Sequence, residues 1–331
     1  MQERWQRIRH FLQDKEKILI TTHLNPDGDA LGSELALAHY LKEKGHKVLI
    51  INSDPLPTFF EFLTDSLTFE HFDASPHTAA INSCDGCIIV DVSEWKRLGA
   101  ISGALRESGI PIACIDHHLT NGHVCGVQVI DNGASSTGEL IYDFLKSENA
   151  NFTQEILDGL YTCILTDTGS FRFANTTPRT HLIAADLMSM GARFQKIYSE
   201  LYENESKSRV LLKGHLLANM QFDCDGRFAW FVMPNALLKK LGAADWEAEG
   251  FSDLPRSIRG VEMSIMFSEK PDGLAKASFR SKGDIPLNSL AEQFGGGGHK
   301  YAAGASLDWI LDEAIPRVTK AAVEYLKNYS R

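Results

Sequence analysis

The chain has 331 residues, a length that predicts two domains. Its 33 basic and 43 acidic side chains give a net charge of −10, which disfavours a long nucleic acid as partner but is compatible with small anions held by metals or by a few arginines. No stretch approaches the roughly 20 apolar residues that span a bilayer, and the N-terminal segment lacks the apolar core of a secretory signal, so we expect a cytoplasmic protein without a membrane contact.

The first half of the chain alternates compact apolar runs with helical patterns. The runs are rich in β-branched residues and typical of buried strands; they are KILITTH (17–23), KVLIIN (47–52), CIIVDV (87–92) and IACIDHH (112–118). A helix is predicted for 32–44, where Leu35, Ala38 and Leu41 share one face and Gly45 ends the helix. Strands that alternate with helices predict an α/β domain in which helices cover both faces of a parallel sheet.

The second half is expected to contain a connector and a smaller domain. Apolar residues recur at helical spacing over 153–166 and lead to Asp167. The charged segment 188–213 is predicted to be a helical connector, which assigns 1–187 to the first domain and 214–331 to the second. Apolar segments such as FAWFVM, EMSIMF and AKASFR, with turns at 223–227 and 270–273, predict a mixed sheet in the second domain.

Acidic and histidine side chains follow the predicted strands of the first half. They come after the first strand and at the ends of the third and fourth strands; the residues are His23, Asp27, Asp29, Asp91, Asp116, His117 and His118. Because parallel strands end at the same edge of a sheet, we expect these groups to share one crevice. Taken alone, Asp27 and Asp29 could equally cap a helix, and His117 with His118 could form an ordinary polar loop.

Several carboxylates and imidazoles in one crevice need a compensating cation, because each would otherwise lose hydration and repel its neighbours. This mixed set suits Mn²⁺, Fe²⁺, Co²⁺, Zn²⁺ or Mg²⁺, and the lack of cysteine in it argues against a structural zinc site. Two ions about 3.5–4 Å apart, bridged by one carboxylate and a water, would stabilise an in-line attack on phosphorus. Asp167 fits this interpretation, since a carboxylate at a helix C-terminus is unfavourable without a cation. The CxxC pair Cys84 and Cys87 lacks the second pair that a zinc site would need.

Sequence motifs in this order resemble those of the DHH phosphoesterase superfamily. The motifs of the first half are HLNPDGDALGS (23–33), VDVSEWKRLG around Asp91, DHH (116–118) and TDTGSFRF (166–173). GGGGHKYAAG (295–304) and FRS (279–281) resemble the C-terminal DHHA1 domain of that superfamily. Their order, spacing and total length are most similar to the NrnA-type bifunctional oligoribonucleases and pAp phosphatases, over essentially the whole chain.

The resemblance implies a role for each acidic and histidine residue. One metal ion would be bound by His23, Asp27 and Asp91, and a second by Asp29, Asp91, His117 and Asp167, with Asp91 as the bridge. The two ions are expected to be Mn²⁺. Asp116 would orient a histidine ligand, as carboxylates beside metal-bound imidazoles usually do. His118 would face the substrate phosphate or the leaving oxygen, and Asp116 and His118 are the predicted catalytic residues.

In the second domain, a glycine-rich segment is the predicted anion-binding site. Glycines leave the backbone free to turn its N–H groups towards phosphate oxygens, and Arg280 would add planar bidentate contacts. The predicted substrate-binding residues are Arg280, Ser281, Gly296, Gly297, Gly298 and His299. A flexible loop without a ligand and an ordinary surface charge are the alternatives for the glycines and for Arg280. Arg172 could contact substrate or pair with an acid.

These features together predict a two-metal phosphoesterase. By resemblance, it would hydrolyse short RNA oligonucleotides (nanoRNA) to mononucleotides and dephosphorylate 3′-phosphoadenosine 5′-phosphate (pAp) to AMP. A phosphodiesterase of the same superfamily acting on cyclic or linear dinucleotides is the alternative. A family II inorganic pyrophosphatase shares the motifs of the first domain but not the GGGGH segment, and a nucleotide sensor without catalysis is a further alternative. Cutting polarity and oligomeric state are left open, with a homodimer among the options.

Overall fold

The structure of the chain is a computed structural model that describes residues 2–64, 67–118, 124–248, 250–282 and 285–329. It divides into two units, Met1–Asn204 and Glu205–Arg331. The division falls inside the segment 188–213, whose bounds as a connector stay a prediction. None of the helices in these ranges combines the length and the apolar composition needed to cross a bilayer.

The apolar runs of the first unit form a six-stranded parallel sheet, which confirms the predicted α/β class. Its strands are β1 (Lys17–Thr21), β2 (Lys47–Asn52), β3 (Phe69–His71), β4 (Gly86–Val90), β5 (Ile112–Asp116) and β6 (Val127–Ile130). Their order across the sheet is β3-β2-β1-β4-β5-β6, and every pairing is parallel. The four strands predicted from sequence are the four central strands, and β3 and β6 are the edges.

Helices cover both faces of this sheet. They are α1 (Gln2–Leu12), α2 (Gly28–Glu43), α3 (Ala74–Asn82), α4 (Ile101–Ser108), α5 (Thr137–Ser147), α6 (Gln154–Asp167), α7 (Pro178–Ser189) and α8 (Phe194–Tyr202). Ile18 and Ile20 of β1 pack in one core with residues of α2, α5 and α6, whereas Leu19 packs in a second core with residues of α3 and α4. Because successive side chains of a strand point to opposite faces and both faces are covered, the central residues Ile18, Leu19 and Ile20 of β1 are all apolar.

Helix α2 begins at Gly28, earlier than the predicted start at 32. The side chain of Asp27 accepts hydrogen bonds from the N–H groups of Asp29 and Ala30, and this cap starts the helix before its apolar periodicity begins. Gly32 then lets α2 approach α6 closely, since a Cβ there would lie 2.3 Å from the carbonyl oxygen of Gly159. The first turn of α2 and the helix that ends at Asp167 are therefore packed together.

The second unit contains a six-stranded mixed sheet, as predicted. Its elements are α9 (Lys207–Ala218), β7 (Gln221–Asp223), β8 (Phe228–Met233), α10 (Asn235–Leu241), β9 (Met263–Glu269), β10 (Ala275–Ser281), α11 (Asn288–Glu292), β11 (Gly297–His299), β12 (Ala302–Ser306) and α12 (Leu311–Lys327). The strand order is β11-β12-β10-β9-β8-β7, in which only the β8–β9 pairing among the described strands is parallel. The predicted turns lie between β7 and β8 and between β9 and β10.

Candidate metal centre

The carboxyl ends of β1, β4 and β5 place the predicted ligands at one edge of the sheet. These three strands are neighbours, and the chain changes direction across the sheet between β1 and β4. Open α/β sheets bind ligands at such a switch point. His23 follows β1, Asp91 follows β4, and β5 ends at Asp116 directly before His117.

Three overlapping groups of side chains at this edge could each hold a metal ion. They are His23 with Asp27 and Asp91; Asp29 with His117 and Asp167; and Asp91 with His117 and His118. Within each group the ligand atoms lie within 4.8 Å of one another. The structure therefore brings together every residue that was predicted as a metal ligand, and Asp91 belongs to two of the groups.

His23 and His117 both present Nε2 to the acids of the centre. Nδ1 of His23 donates to the carbonyl oxygen of Leu24 at 2.8 Å, and Nδ1 of His117 donates to that of Ala134 at 3.3 Å. A neutral imidazole that donates through Nδ1 has a lone pair on Nε2, which is how ligand histidines are oriented in metal sites. Both Nε2 atoms are therefore set up as ligands.

The distances around Nε2 leave room for an ion. Nε2 of His117 lies 3.7 Å from Asp29 Oδ2, 3.6 Å from Asp91 Oδ1 and 3.7 Å from Asp167 Oδ2, too far for good hydrogen bonds. In the described part of the chain, this buried nitrogen has no hydrogen-bond partner. Nε2 of His23, by contrast, lies at hydrogen-bond distance from Asp91 Oδ2, 3.1 Å, and 4.0 Å from Asp27 Oδ2.

Asp29 and Asp91 are deeply buried, and the acids of the centre repel one another. Asp29 is 0% exposed and Asp91 is 1% exposed. Burial, with the charges of Asp91 and Asp167, raises the pKa of Asp29 well above its ordinary value. Burial, with the charges of Asp27, Asp116 and Asp167, does the same to the pKa of Asp91, and burial also raises the pKa of Asp167. Buried carboxylates beside imidazole lone pairs fit divalent cations, which would offset these costs.

Asp27 has two contacts that use different oxygens. Oδ1 caps α2, as one alternative from sequence proposed, whereas Oδ2 faces His23 at 4.0 Å. Its side chain is 56% exposed, so one lone pair of this carboxylate remains accessible. Capping and metal binding are therefore compatible roles for this residue.

Asp116 contacts His118. Its Oδ1 accepts from the backbone N–H of His118 at 3.0 Å and from Nδ1 of the same residue at 2.8 Å. Burial raises the pKa of Asp116, but the hydrogen bonds from His118 help to outweigh burial, and this pKa lies below its ordinary value. The His118 side chain is 40% exposed, and its Nδ1 lies 3.6 Å from Asp91 Oδ1. His118 therefore lies at the accessible side of the centre, and the buried Asp116 lies behind it.

Three residues that contact the centre were missed in the sequence. The N–H groups of Thr137 and Gly138 donate to Asp29 Oδ2 at 2.7 Å and Oδ1 at 2.9 Å, and the Thr137 hydroxyl donates to Asp91 Oδ1 at 2.9 Å. The amide of Asn175 donates to Asp167 Oδ2 at 3.0 Å. The sequence pattern that indicates the start of α5 is Ser136 followed by Glu139, a common helix start before an apolar run.

Other candidate residues of the first unit lie in ordinary surroundings. Nε of Arg172 donates to the carbonyl oxygen of Gly169 at 2.7 Å, and its guanidinium lies over the ring of Phe173. Cys84 and Cys87 are buried, and burial raises the pKa of both thiols. Among the residues that the structure describes, no metal-capable group contains a cysteine.

The predicted anion-binding residues lie on neighbouring strands of the second unit. Arg280 on β10 and His299 on β11 are both paired with Ala302 of β12, so the two backbones lie in one row across the sheet. Nε of Arg280 donates to Asp253 Oδ2 at 3.2 Å, and its side chain is 25% exposed. Ser281 is buried, and its N–H and hydroxyl donate to the carbonyl oxygens of Tyr301 and Ile285.

The second half of the glycine-rich segment forms a strand. Gly297 and Gly298 belong to β11 and pair with β12. Gly298 has a φ of +142°, and a Cβ there would lie 2.7 Å from the carbonyl oxygen of Ala302. A Cβ on Gly296 would lie 2.2 Å from the carbonyl oxygen of Gly304. The close approach of β12 therefore excludes side chains at Gly296 and Gly298.

Comparisons with known proteins match both units. The model of the DHH family, N-terminal domain, matches residues 17–164, and the DHHA1 domain matches 235–328. The chain is 32% identical to the bifunctional oligoribonuclease and PAP phosphatase NrnA of Thermus thermophilus, covering 93% of this chain and 90% of that protein. It is 29% identical to the protein of the same name from Bacillus subtilis, covering 90% and 91%. The crystal structure of an exopolyphosphatase-related protein from Bacteroides fragilis superimposes with a TM-score of 0.91 at 28% identity, covering 99% of this chain and 97% of that one.

Proposed function

This chain belongs to the DHH family, with a DHHA1 domain in its second unit, and on that premise we propose that it is a divalent-metal-dependent phosphoesterase of nucleotides. It hydrolyses short oligoribonucleotides to mononucleotides and dephosphorylates pAp to AMP. The observation that carries this proposal is the group of acids and imidazoles around Asp91 at the switch point of the parallel sheet. The substrates follow those named for the relatives from Thermus thermophilus and Bacillus subtilis.

We propose that the centre binds two ions that share Asp91. Its Oδ2 faces His23 at 3.1 Å and its Oδ1 faces His117 at 3.6 Å, so each oxygen belongs to a different group of ligands. One ion is held by His23, Asp27 and Asp91, and the second by Asp29, Asp91, His117 and Asp167. The mixture of oxygen and imidazole ligands suits Mn²⁺.

Divalent ions bound there would polarise the phosphate and lower the pKa of a water that attacks it. The side chains beside them handle the leaving group. Asp116 fixes the ring of His118 through Nδ1, and the side chain of His118 is accessible from solvent. A His118 imidazolium, stabilised by the Asp116 carboxylate at Nδ1, would donate its Nε2 proton to the leaving oxygen and become neutral. Asp116 and His118 are therefore the proposed catalytic pair.

The second unit is proposed to bind a phosphate of the substrate. Nε of Arg280 donates to Asp253 and Nη1 to the carbonyl oxygen of Phe279, so Nη2 is the guanidinium nitrogen proposed to contact a phosphate. Gly296, Gly297, Gly298 and His299 supply a backbone that a phosphate could approach. Both donors of Ser281 are engaged inside the unit, so its contribution would be to hold the end of β10. Side-chain truncation of Arg280 should thus affect substrate binding more than chemistry.

A substrate panel tests the proposed function. Metal-stripped protein is supplied with Mn²⁺, and turnover of pAp, pApA, cyclic di-AMP and pyrophosphate is compared at equal concentration, with a chelator added in parallel. We expect pAp and pApA to be hydrolysed, and chelation to abolish the activity. Faster turnover of cyclic di-AMP would favour the dinucleotide alternative, and chelator-resistant activity would contradict the proposal. The same assay compares Asp91→Asn with the control Asp225→Asn. Asp225 is an exposed aspartate with φ +56°, close to the φ of +60° at Asp91, so the two substitutions are matched in backbone conformation.

A further inference from the structure

The residues just before and at the start of α5 contact three of the four ligands proposed for the second ion directly, and they reach the fourth, Asp167, through Asn175. This α5 start segment, residues 134–138, is buried throughout. We propose that this segment positions the ligands of the second ion, through the side chain of Thr137 and through Asn175, whose amide is held by the carbonyl oxygen of Ser135. This inference rests on the two-ion centre of the proposed function, but its test does not depend on which nucleotide the enzyme hydrolyses.

The segment first fixes Asp29. Both oxygens of this carboxylate accept a backbone N–H, from Thr137 at 2.7 Å and from Gly138 at 2.9 Å. Two parallel hydrogen bonds stop the carboxylate from rotating and use one lone pair on each oxygen. These N–H groups belong to the first turn of α5, where the helix dipole favours a negative charge. The remaining lone pairs of Asp29 are available to a metal ion shared with His117 and Asp167.

The segment also fixes the other three ligands. The Thr137 hydroxyl donates to Asp91 Oδ1 at 2.9 Å, the oxygen on the side of His117. The carbonyl oxygen of Ala134 accepts Nδ1–H of His117 at 3.3 Å, which leaves a lone pair on Nε2. The carbonyl oxygen of Ser135 accepts from the Asn175 amide at 2.8 Å, and the same amide group donates to Asp167 Oδ2 at 3.0 Å.

Glu139 and helix α6 hold the α5 start segment in place. Glu139 Oε2 accepts from the N–H of Ser135 at 3.0 Å and from its hydroxyl at 2.7 Å, while Oε1 accepts from Nε of Arg179 at 2.9 Å. A Cβ on Gly138 would lie 2.2 Å from Cβ of Cys163, so the backbone is packed directly on α6. A backbone supported on both sides can hold ligand side chains at fixed positions.

This geometry predicts an asymmetric effect of mutation. In Thr137→Val the backbone contacts to Asp29 persist, and only the hydroxyl that orients Asp91 Oδ1 is removed. Asp91 Oδ2, on the side of His23, is not touched by that hydroxyl. Loss of a hydrogen bond that orients a metal ligand typically weakens metal binding by about 10–100-fold. We therefore expect a selective loss of affinity for the second ion.

Binding of Mn²⁺, followed by equilibrium dialysis and electron paramagnetic resonance, provides the test. Two ions that share a carboxylate give a spin-coupled spectrum, whereas a single ion gives the signal of isolated Mn²⁺. Wild type should bind two equivalents and show coupling. Thr137→Val should bind the first equivalent with unchanged affinity and the second about 10–100-fold more weakly, with the coupled signal reduced accordingly.

Two control variants separate positioning from packing. Thr137→Ser keeps the hydroxyl and should behave like wild type. Thr162→Val removes a buried hydroxyl that donates to the carbonyl oxygen of Asp158 within α6, and it should also bind both ions normally. If Thr137→Val fails to fold, Asn175→Ala replaces it, because this half-buried residue reaches Asp167 by its amide alone.

Three results would overturn the inference. The first is wild-type affinity for both ions in Thr137→Val, or in Asn175→Ala if that variant replaces it. The second is an equal weakening of the binding of both ions in the same variant. The third is a loss of affinity of the same size in Thr162→Val. A wild-type protein that binds two coupled ions but hydrolyses no nucleotide would refute the proposed function while leaving this inference intact.

Discussion

Asparagine in place of Asp91 should make the metal-free protein more stable and should remove most of its response to Mn²⁺. Asparagine has the same shape and tolerates the φ of +60° at this position, which alanine does not. Its Oδ1 can still accept the hydroxyl of Thr137. The substitution therefore removes a buried charge with little other change.

The size of the effect follows from the spacing of the charges. Ligand atoms of Asp27 and Asp91 lie within 4.8 Å, and two like charges at that distance repel by about 3 kcal/mol at an effective dielectric constant of about 20. Because Asp27 is 56% exposed and therefore screened by solvent, we expect relief of about 1–2 kcal/mol. For a unit of this size, that corresponds to a rise in Tm of about 2–8 °C.

The pH dependence of stability should change in the same variant. The folded state raises the pKa of Asp91 above its ordinary value of 3.8, so the unfolded state loses its proton first as pH rises. Metal-free wild type should consequently lose stability from about pH 4 upwards through the raised pKa, and Asp91→Asn should lose less over the same range.

Thermal unfolding with and without Mn²⁺ measures both effects. An ion at about 100 times its Kd should stabilise wild type by about 2.7 kcal/mol, and Asp91→Asn should gain much less. Asp225→Asn should match wild type in each condition. The reasoning is refuted if Asp91→Asn melts at or below the wild-type Tm without metal and is stabilised by Mn²⁺ as much as wild type.

Other substitutions test separate parts of the structure. His118→Gln should lower kcat by about 10²–10⁴-fold while two Mn²⁺ still bind, as measured by steady-state kinetics and dialysis; unchanged kcat would exclude proton transfer by this residue. Arg280→Ala should raise KM for pAp by about 10–100-fold with kcat nearly retained, and a loss confined to kcat would contradict a binding role. Gly32→Ala should destabilise the protein by about 1–3 kcal/mol in urea unfolding, because its methyl group would meet a backbone oxygen of α6 at 2.3 Å. Gly103→Ala, a helix position with nothing within 4 Å, should be neutral or slightly stabilising, and equal effects of the two substitutions would argue against close packing of α2 on α6.

The central strands could be predicted from sequence because both of their faces are buried. Such strands carry an unbroken apolar run rather than an alternating pattern, as at 18–20 in β1 and at 87–90 in β4. The edge strands escaped this criterion. β3 is three residues long and only partly buried, and β6 contains a glutamine and an exposed isoleucine. The start of α2 was placed too late since its first turn is held by the Asp27 cap rather than by apolar residues.

The acids and histidines of the centre could be predicted because chemistry and topology agree on them. They follow adjacent parallel strands, and no other feature of the sequence explains so many ionisable groups at strand ends. The contacts that orient them could not be predicted in the same way. Asp29 is held by two backbone N–H groups, which have no sequence pattern of their own, and Asn175 lies among polar residues that are typical of any loop.

Anomalous diffraction at the manganese edge, from crystals grown with Mn²⁺, tests the two-ion centre most directly. We expect two peaks about 3.5–4 Å apart on either side of Asp91, one beside His23 and one beside His117. A single peak, or peaks remote from these residues, would contradict the account.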